Sequence, residues 1–360
     1  MSSLSIGVVG LPNVGKSTLF NALTNNSILA ANYPFATIEP NTGTVPVPDE
    51  RLSVLQKMYS SEKILPATIT FVDIAGLVAG ASKGEGLGNK FLANIRQCDA
   101  TIHVVRAFED DSILRHDETP TTPVRDIEII NTELCLADLQ TIETRLVRLT
   151  KESKTNPKAK ETANYLESLK RHLEQGTPLS QLPSLDEEAI YDLHLLTAKP
   201  VIYAFNISED TLTDEQTKSE LAKLIAPSQS VFISAKLEEE LKGLDPSDAA
   251  ELLESYGVHE SGLIQVIHSA YETLGLQSYL TAGPKEIRAW TVRKGATAPQ
   301  AAGVIHTDFE RGFIAAQVIN YNDLVETGSE AAARSAGKLR TEGKTYVMQP
   351  DDVVEFRFNV

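Results

Sequence analysis

The stretch "GLPNVGKST", residues 10 to 18, constrains this chain more than any other. It satisfies G-x-x-x-x-G-K-[ST] and stands between a β-type run, Leu4 to Val9, and a segment of helical character from about Ser17 to Asn25. Strand, phosphate loop and helix in that order form the context in which the motif holds a nucleoside triphosphate. Gly10 and Gly15 let backbone N–H groups converge on phosphate oxygens, and the helix N-terminus adds positive potential. Asn13, Val14, Gly15, Lys16, Ser17 and Thr18 are therefore the expected phosphate contacts. Lys16 is expected to reach the β and γ phosphates and the Ser17 hydroxyl to ligate Mg²⁺.

Further β-type runs follow at "ATITFVDIAG" (67 to 76), "ATIHVVRAF" (100 to 108), "VIYAF" (201 to 205) and "SVFIS" (230 to 234), separated by long helical segments. That alternation predicts a doubly wound α/β domain with a mostly parallel sheet. Between about 126 and 200 the pattern changes. Ile130, Leu134, Leu139, Ile142, Leu146 and Leu149 recur mostly at threes and fours, "KTNP" at 154 to 157 breaks the run, and Tyr165 or Leu166, Leu169 and Leu173 resume it. This predicts an antiparallel helical hairpin inserted into the α/β domain. After about Gly275 short β runs mix with Gly and Pro turns and the chain ends in "DVVEFRFNV", which predicts a separate α+β domain over 276 to 360. Residues 3 to 275 are assigned to the nucleotide-binding domain.

Asp73-Ile74-Ala75-Gly76 closes one of these strands and supplies what phosphoryl transfer needs next: a carboxylate acting on the metal through water, and a backbone N–H at Gly76 for the γ phosphate. Lys16, Asp73 and Gly76 are the main catalytic candidates. Thr37 is the candidate for the switch threonine that completes the Mg²⁺ shell, with Thr42 as the alternative. The residue after Gly76, which in Ras-type enzymes is a water-orienting Gln, is Leu77, and Leu77 can neither donate nor accept. Slow intrinsic hydrolysis follows unless another group positions the water. Asn13 could hold K⁺ beside the phosphates or simply stabilise the turn. His116 is a further catalytic candidate if the fold brings it close.

The stretch "VIYAFNISED" reaches the position where a P-loop GTPase reads guanine with Asn-Lys-x-Asp, and carries Asn206-Ile207-Ser208-Glu209 instead. Asn206 can still contact the purine and the phosphate loop. Ile207 replaces the Lys whose stem lies over the base. Glu209 is one methylene longer than the Asp that accepts two hydrogen bonds from guanine, so the reason to prefer guanine is lost. Ser234-Ala235-Lys236 supplies the loop expected to close the base pocket through backbone groups.

The formal net charge is −16, which argues against a chain that coats nucleic acid indiscriminately. From Arg145 to Arg171, however, eight Lys or Arg stand against three Glu, a local +5. That face could touch rRNA or be an ordinary solvated helix surface. No run of eighteen apolar residues and no signal-peptide pattern is evident, so no membrane contact is expected and the cytoplasm is the expected location. Cys98 and Cys135 lack metal-ligand spacing and read as buried thiols.

Taken with "FATIEPNTG", "FVDIAGLVAGASKGEGLGNKFL", Asn-x-x-Glu at 206 to 209, "SAKLE" and the C-terminal "TAGPKEIRAWTVRKGATAPQAAGVIHTDFERGFIAAQV", the sequence resembles the YchF or Obg-like ATPase family over essentially its whole length. The resemblance implies an OBG-type G domain with a helical insertion, a C-terminal β-grasp (TGS) domain, preference for ATP over GTP, and association with ribosomes or translation factors. Two positions depart from the family pattern. Ala36 stands where some members carry a Cys linked to redox control, and "FEDDSILRHD" places Arg115 in the slot of the family's proposed catalytic His, with His116 one residue on. Two other functions stay open: a GTPase of ribosome assembly, and a nucleotide-gated ribosome-binding scaffold with incidental hydrolysis.

Overall fold

The structure is a computed structural model that describes residues 4–24, 38–39, 41–74, 87–109 and 122–359. In chain order its strands begin with β1 (Ser5–Val9), β2 (Ile38–Glu39), β3 (Thr42–Pro46), β4 (Lys63–Leu65), β5 (Thr68–Asp73), β6 (Ala100–Ala107), β7 (Val201–Ile207) and β8 (Gln229–Ile233). All of these but β4 form a seven-stranded sheet in the order β2-β3-β5-β1-β6-β7-β8. The five strands from β5 to β8 in that order run parallel. Burial on both faces explains why the inner strands read as near-continuous apolar runs; β6, for example, is buried at every position but its last, whereas the edge strand β8 buries only Val231 and Ile233. The predicted strands and their parallel order are all present.

The predicted hairpin is also present, as helices Pro123–Glu152 and Pro157–Leu173. Thr122 and Asn156 cap their N-termini, each followed by Pro at the first helical position, where its missing N–H costs nothing. The pair closes on its own core of Ile142, Leu146, Leu149, Leu166, Leu169 and Leu173. Cys135 lies in that core as the buried thiol expected, and burial pushes its pKa up to about 12, which keeps it protonated. Cys98 is likewise a buried, free thiol.

The chain divides into two compact units. One is built mainly from Thr70–Thr273 and the phosphate-loop segment, and the other from Leu274–Val360 together with Thr44–Ile69. The second unit contains β9 (Leu276–Ala282), β10 (Glu286–Arg293), β11 (Phe313–Asn320), β12 (Arg340–Glu342) and β13 (Asp352–Phe358) in the order β12-β11-β13-β9-β10-β4. Within it, the antiparallel hairpin β9–β10, the helix Ala298–Ile305 and the central parallel pair β13–β9 make a β-grasp. The helix packs on one face, where the Tyr279 hydroxyl donates to the Ala301 carbonyl at 2.9 Å.

Residues 44 to 69, expected in the first domain, belong instead to the second unit. Helix Glu50–Tyr59 packs on β9 and β10 and buries Leu52 and Leu55, and β4 adds to the edge of β10. Arg51 fixes this arrangement by pairing with Asp49 at 2.7 Å and Asp351 at 2.9 Å. Leu52 and Leu55 of this helix thereby gain a second layer to bury against, the β9–β10 hairpin.

Candidate nucleotide-binding site

Parallel pairing assembles the site. Val8 of β1 is in register with Asp73 of β5, which brings the carboxylate to the mouth of the phosphate loop. Asn206 of β7 is in register with Ile233 of β8, so Ser234 and Ala235 emerge beside it. Both junctions lie at the carboxyl ends of the strands, where open α/β sheets hold ligands.

The phosphate loop turns into helix Lys16–Thr24 with Asn13 at φ 61° and Gly15 at φ 98°. Gly15 cannot be replaced cheaply, because a Cβ there would lie 2.5 Å from the Asn206 side-chain nitrogen. A Cβ on Gly10 would lie 2.6 Å from the Val104 carbonyl oxygen. The glycines are thus required by the walls of the site as well as by the ligand. Val14 is buried, while Asn13, Ser17 and Thr18 are exposed at the helix start.

Lys16 is buried, and its Nζ donates to the Leu11 carbonyl oxygen at 2.9 Å. Burial lowers its pKa and the Asp73 charge partly restores it. Burial raises the Asp73 pKa in turn, and Lys16 pulls it back down. The two groups therefore sense each other across the loop. An incoming phosphate would exchange a neutral carbonyl acceptor for a charged one, which makes a stronger bond. Among the described residues no three His, Cys, Asp or Glu side chains form a metal cage. The Ser17 hydroxyl with the Asp73 carboxylate is a hard-oxygen donor set that suits Mg²⁺ shared with substrate phosphates.

Asn206 is buried and ties both sides of the site together. Its Nδ2 donates to the Val14 carbonyl at 3.1 Å and its Oδ1 accepts from Ala235 N at 3.1 Å. Ser234 caps the helix Ala235–Glu240 through Leu237 N. Ile207 does not meet its expected role: it is 2% exposed and packs in a core cluster with Phe205, Leu212 and Ile225. As the last residue of a strand buried on both faces, its side chain serves the core, with no surface left to lie over a base. Glu209 and Lys236 form an ion pair at 2.8 Å, and that bond holds the Glu209 carboxyl below its usual range.

Two other roles have no signal in the sequence. The Glu238 carboxylate of "SAKLE" accepts from Gly262 N at 2.6 Å and so caps helix Gly262–Thr273, which packs on β7 and β8. His103 of β6 is buried, with burial first and the Lys16 charge second lowering its pKa to about 3, so it is neutral. No spacing rule marks either residue. Thr37, Gly76, Leu77, Arg115 and His116 lie outside the described residues, and Thr42 is a strand residue in β3 paired with Glu39.

A phosphate loop with a buried lysine, a carboxylate at the end of the adjacent parallel strand and an Asn strap to a Ser-Ala-Lys loop define a P-loop nucleoside-triphosphatase of the GTPase type. Known proteins agree. A family model described as 50S ribosome-binding GTPase matches residues 5–136, and one described as YchF-GTPase_C, a protein of unknown function, matches residues 276–359. The curated "Ribosome-binding ATPase YchF" of Bacillus subtilis is 48% identical over 99% of this chain and 100% of its own length. Its namesake in Haemophilus influenzae is 52% identical over 98% of this chain and 99% of its own length. A solved structure described as the Schizosaccharomyces pombe YchF GTPase matches with a TM-score of 0.88 at 40% identity, covering 99% of this chain and 98% of that one. The chain belongs to the YchF family.

Proposed function

We propose that this protein is a ribosome-associated, Mg²⁺-dependent ATPase that hydrolyses ATP to ADP and phosphate and acts as a nucleotide-dependent regulator of translation or of a stress response. The observation that carries the proposal is full-length identity near one half to relatives named ribosome-binding ATPases, joined to an intact phosphate loop. Ribosome binding supports a cytoplasmic location in this reading; separately, none of the described helices is long and apolar enough to cross a membrane.

In this reading Lys16 neutralises β and γ phosphate charge, backbone N–H groups of residues 13 to 18 hold the phosphates in line, and Asn206 keeps the loop shaped around them. When bound, Mg²⁺ would be held by Ser17, by Thr37, and by Asp73 through water, and would supply charge neutralisation on the β and γ oxygens. Gly76 contributes a backbone N–H to the γ phosphate, and Leu77 leaves water positioning to another group, for which His116 and a K⁺ held by Asn13 are the proposals. Phosphate release from ATP and from GTP, each with and without ribosomes, tests the whole. The reading requires ATP turnover that rises with ribosomes. GTP turnover at least tenfold above ATP turnover would favour the GTPase reading, which the description of the S. pombe relative keeps in play.

Ribosome contact is proposed to use the hairpin's basic face and the C-terminal unit, with translation factors as further partners. Lys158 pairs with Glu188 at 2.8 Å and Lys170 with Glu143 at 2.9 Å, whereas Arg148, Lys151 and Lys154 are exposed and pair with no carboxylate among the described residues. Those three, clustered at the end of the first hairpin helix, are among the cations of this face available to rRNA phosphates, beside the exposed Lys160 and Arg171. Reversing all three to Glu is expected to weaken ribosome co-sedimentation and to reduce the salt slope of binding by about two. Unchanged co-sedimentation would return this face to ordinary solvated surface.

A further inference from the structure

We propose that the side chain of Lys236 sets the choice of base, by holding Glu209 in an ion pair whose donor and acceptor match the edge of adenine and mismatch that of guanine. The inference rests on the ATPase reading above and deepens it. Three polar side chains surround the slot, and two have their hydrogen-bonding partly committed. The Asn206 amide spends one N–H on Val14 and its oxygen on Ala235. The Ser234 hydroxyl accepts from its own helix. Glu209 is the carboxylate of the slot; it sits at the start of a short helical turn, Glu209–Thr211, with its side chain 20% exposed and its Oε1 closed to solvent, so that Oε2 is the oxygen open to a base.

Glu209 does not stand alone there. Lys236, 72% exposed, reaches back from helix Ala235–Glu240 to within 2.8 Å of Glu209 Oε1. An ion pair this exposed adds little to stability. Its consequence is for hydrogen-bond pattern. Guanine presents two adjacent donors, N1–H and the exocyclic amine, and a guanine reader must offer two adjacent acceptors. A free carboxylate does so; a carboxylate with an ammonium on one oxygen offers an acceptor beside a donor. Adenine presents an amine, N6–H₂, beside an acceptor, N1, which is the complementary order. Desolvating an ammonium against the N1–H of guanine would leave two donors facing each other, the kind of unpaired polar contact by which binding sites reject a wrong ligand.

The test compares the dissociation constants of Mg²⁺-bound non-hydrolysable ATP and GTP analogues, by calorimetry, for the full chain and for K236A, K236R and K236A/E209A. Lys236 is exposed and lies within a helix, so alanine there leaves the fold intact, which a thermal melt checks. K236A is expected to lower the GTP-to-ATP ratio of dissociation constants by about tenfold, near the low end of what one bidentate base contact discriminates. K236R, which keeps a cation on Glu209, is expected to hold the ratio within about twofold, and K236A/E209A to lose the gain in GTP affinity. A ratio in K236A that stays within about twofold of the unaltered protein overturns the proposal, as does the same gain in K236A/E209A. An unaltered protein that already prefers GTP overturns the ATPase reading and this proposal with it. An unaltered protein that prefers ATP alongside an unmoved K236A ratio overturns the proposal alone.

Discussion

Lys16→Ala is expected to lower ATP turnover by about 10²- to 10³-fold, the effect of removing one preorganised group that stabilises transition-state charge. In the structure the Lys16 ammonium is buried, donates to the neutral Leu11 carbonyl, and is depressed in pKa by that burial. Such a group contributes little to the resting fold and much to a polyphosphate that replaces the carbonyl. The thermal midpoint should therefore move by no more than a few degrees while phosphate release collapses. Single-turnover phosphate release and a thermal melt on the same preparation separate the two effects. A fall in turnover of less than tenfold would show that Lys16 is not carrying γ-phosphate charge.

Asp138→Ala is expected to destabilise the protein by about 3–4 kcal/mol, because it strands several buried donors at once. Asp138 lies on helix Pro123–Glu152 with no solvent exposure. Its carboxylate accepts from Leu196 N at 2.8 Å, Thr197 N at 2.8 Å and the Thr197 hydroxyl at 2.7 Å. Burial raises its pKa, and the three donors oppose that rise. The bonds pin the segment that leaves the hairpin and enters β7, the strand that delivers Asn206. Urea unfolding of Asp138→Ala and Asp138→Asn should rank alanine and asparagine both below the unaltered protein, because the Asn amide presents a donor to donors. A loss under about 1 kcal/mol for alanine would mean that water replaces the carboxylate at no net cost.

What could be read in the chain divides by the range of the interactions involved. The phosphate loop was legible because its function needs fixed residue types at fixed spacing, and the strands β1, β5, β6 and β7 because burial on both faces writes itself as short apolar runs, with β8 read from its own short β-type run at the sheet edge. The hairpin was legible from its period and from the break at "KTNP", where the structure places the Asn156 cap and the Pro157 start of the second helix. Asp138 was not, since a single acidic residue among the apolar positions of a helix looks like any solvated one until its partners fifty-eight and fifty-nine positions away are known. The transfer of Thr44–Ile69 to the second unit was equally hidden: Leu52 and Leu55 show an apolar face without saying which sheet it covers.

The base slot shows the same division at closer range. By itself the sequence set the expectation that Gly15, Lys16 and Ser17 hold a nucleotide's phosphates and showed that the Asn-x-x-Glu at 206 to 209 departs from the guanine reader, because these are statements about residue type and local spacing. Only the tertiary structure decided that Ile207 turns into the core and that Lys236, twenty-seven positions from Glu209, takes hold of its carboxylate. The reason is physical. Parallel strands bring together residues whose separation in the chain is set by the intervening helices, so which side chains meet at their carboxyl ends depends on register, and register is fixed by the packing of the whole sheet.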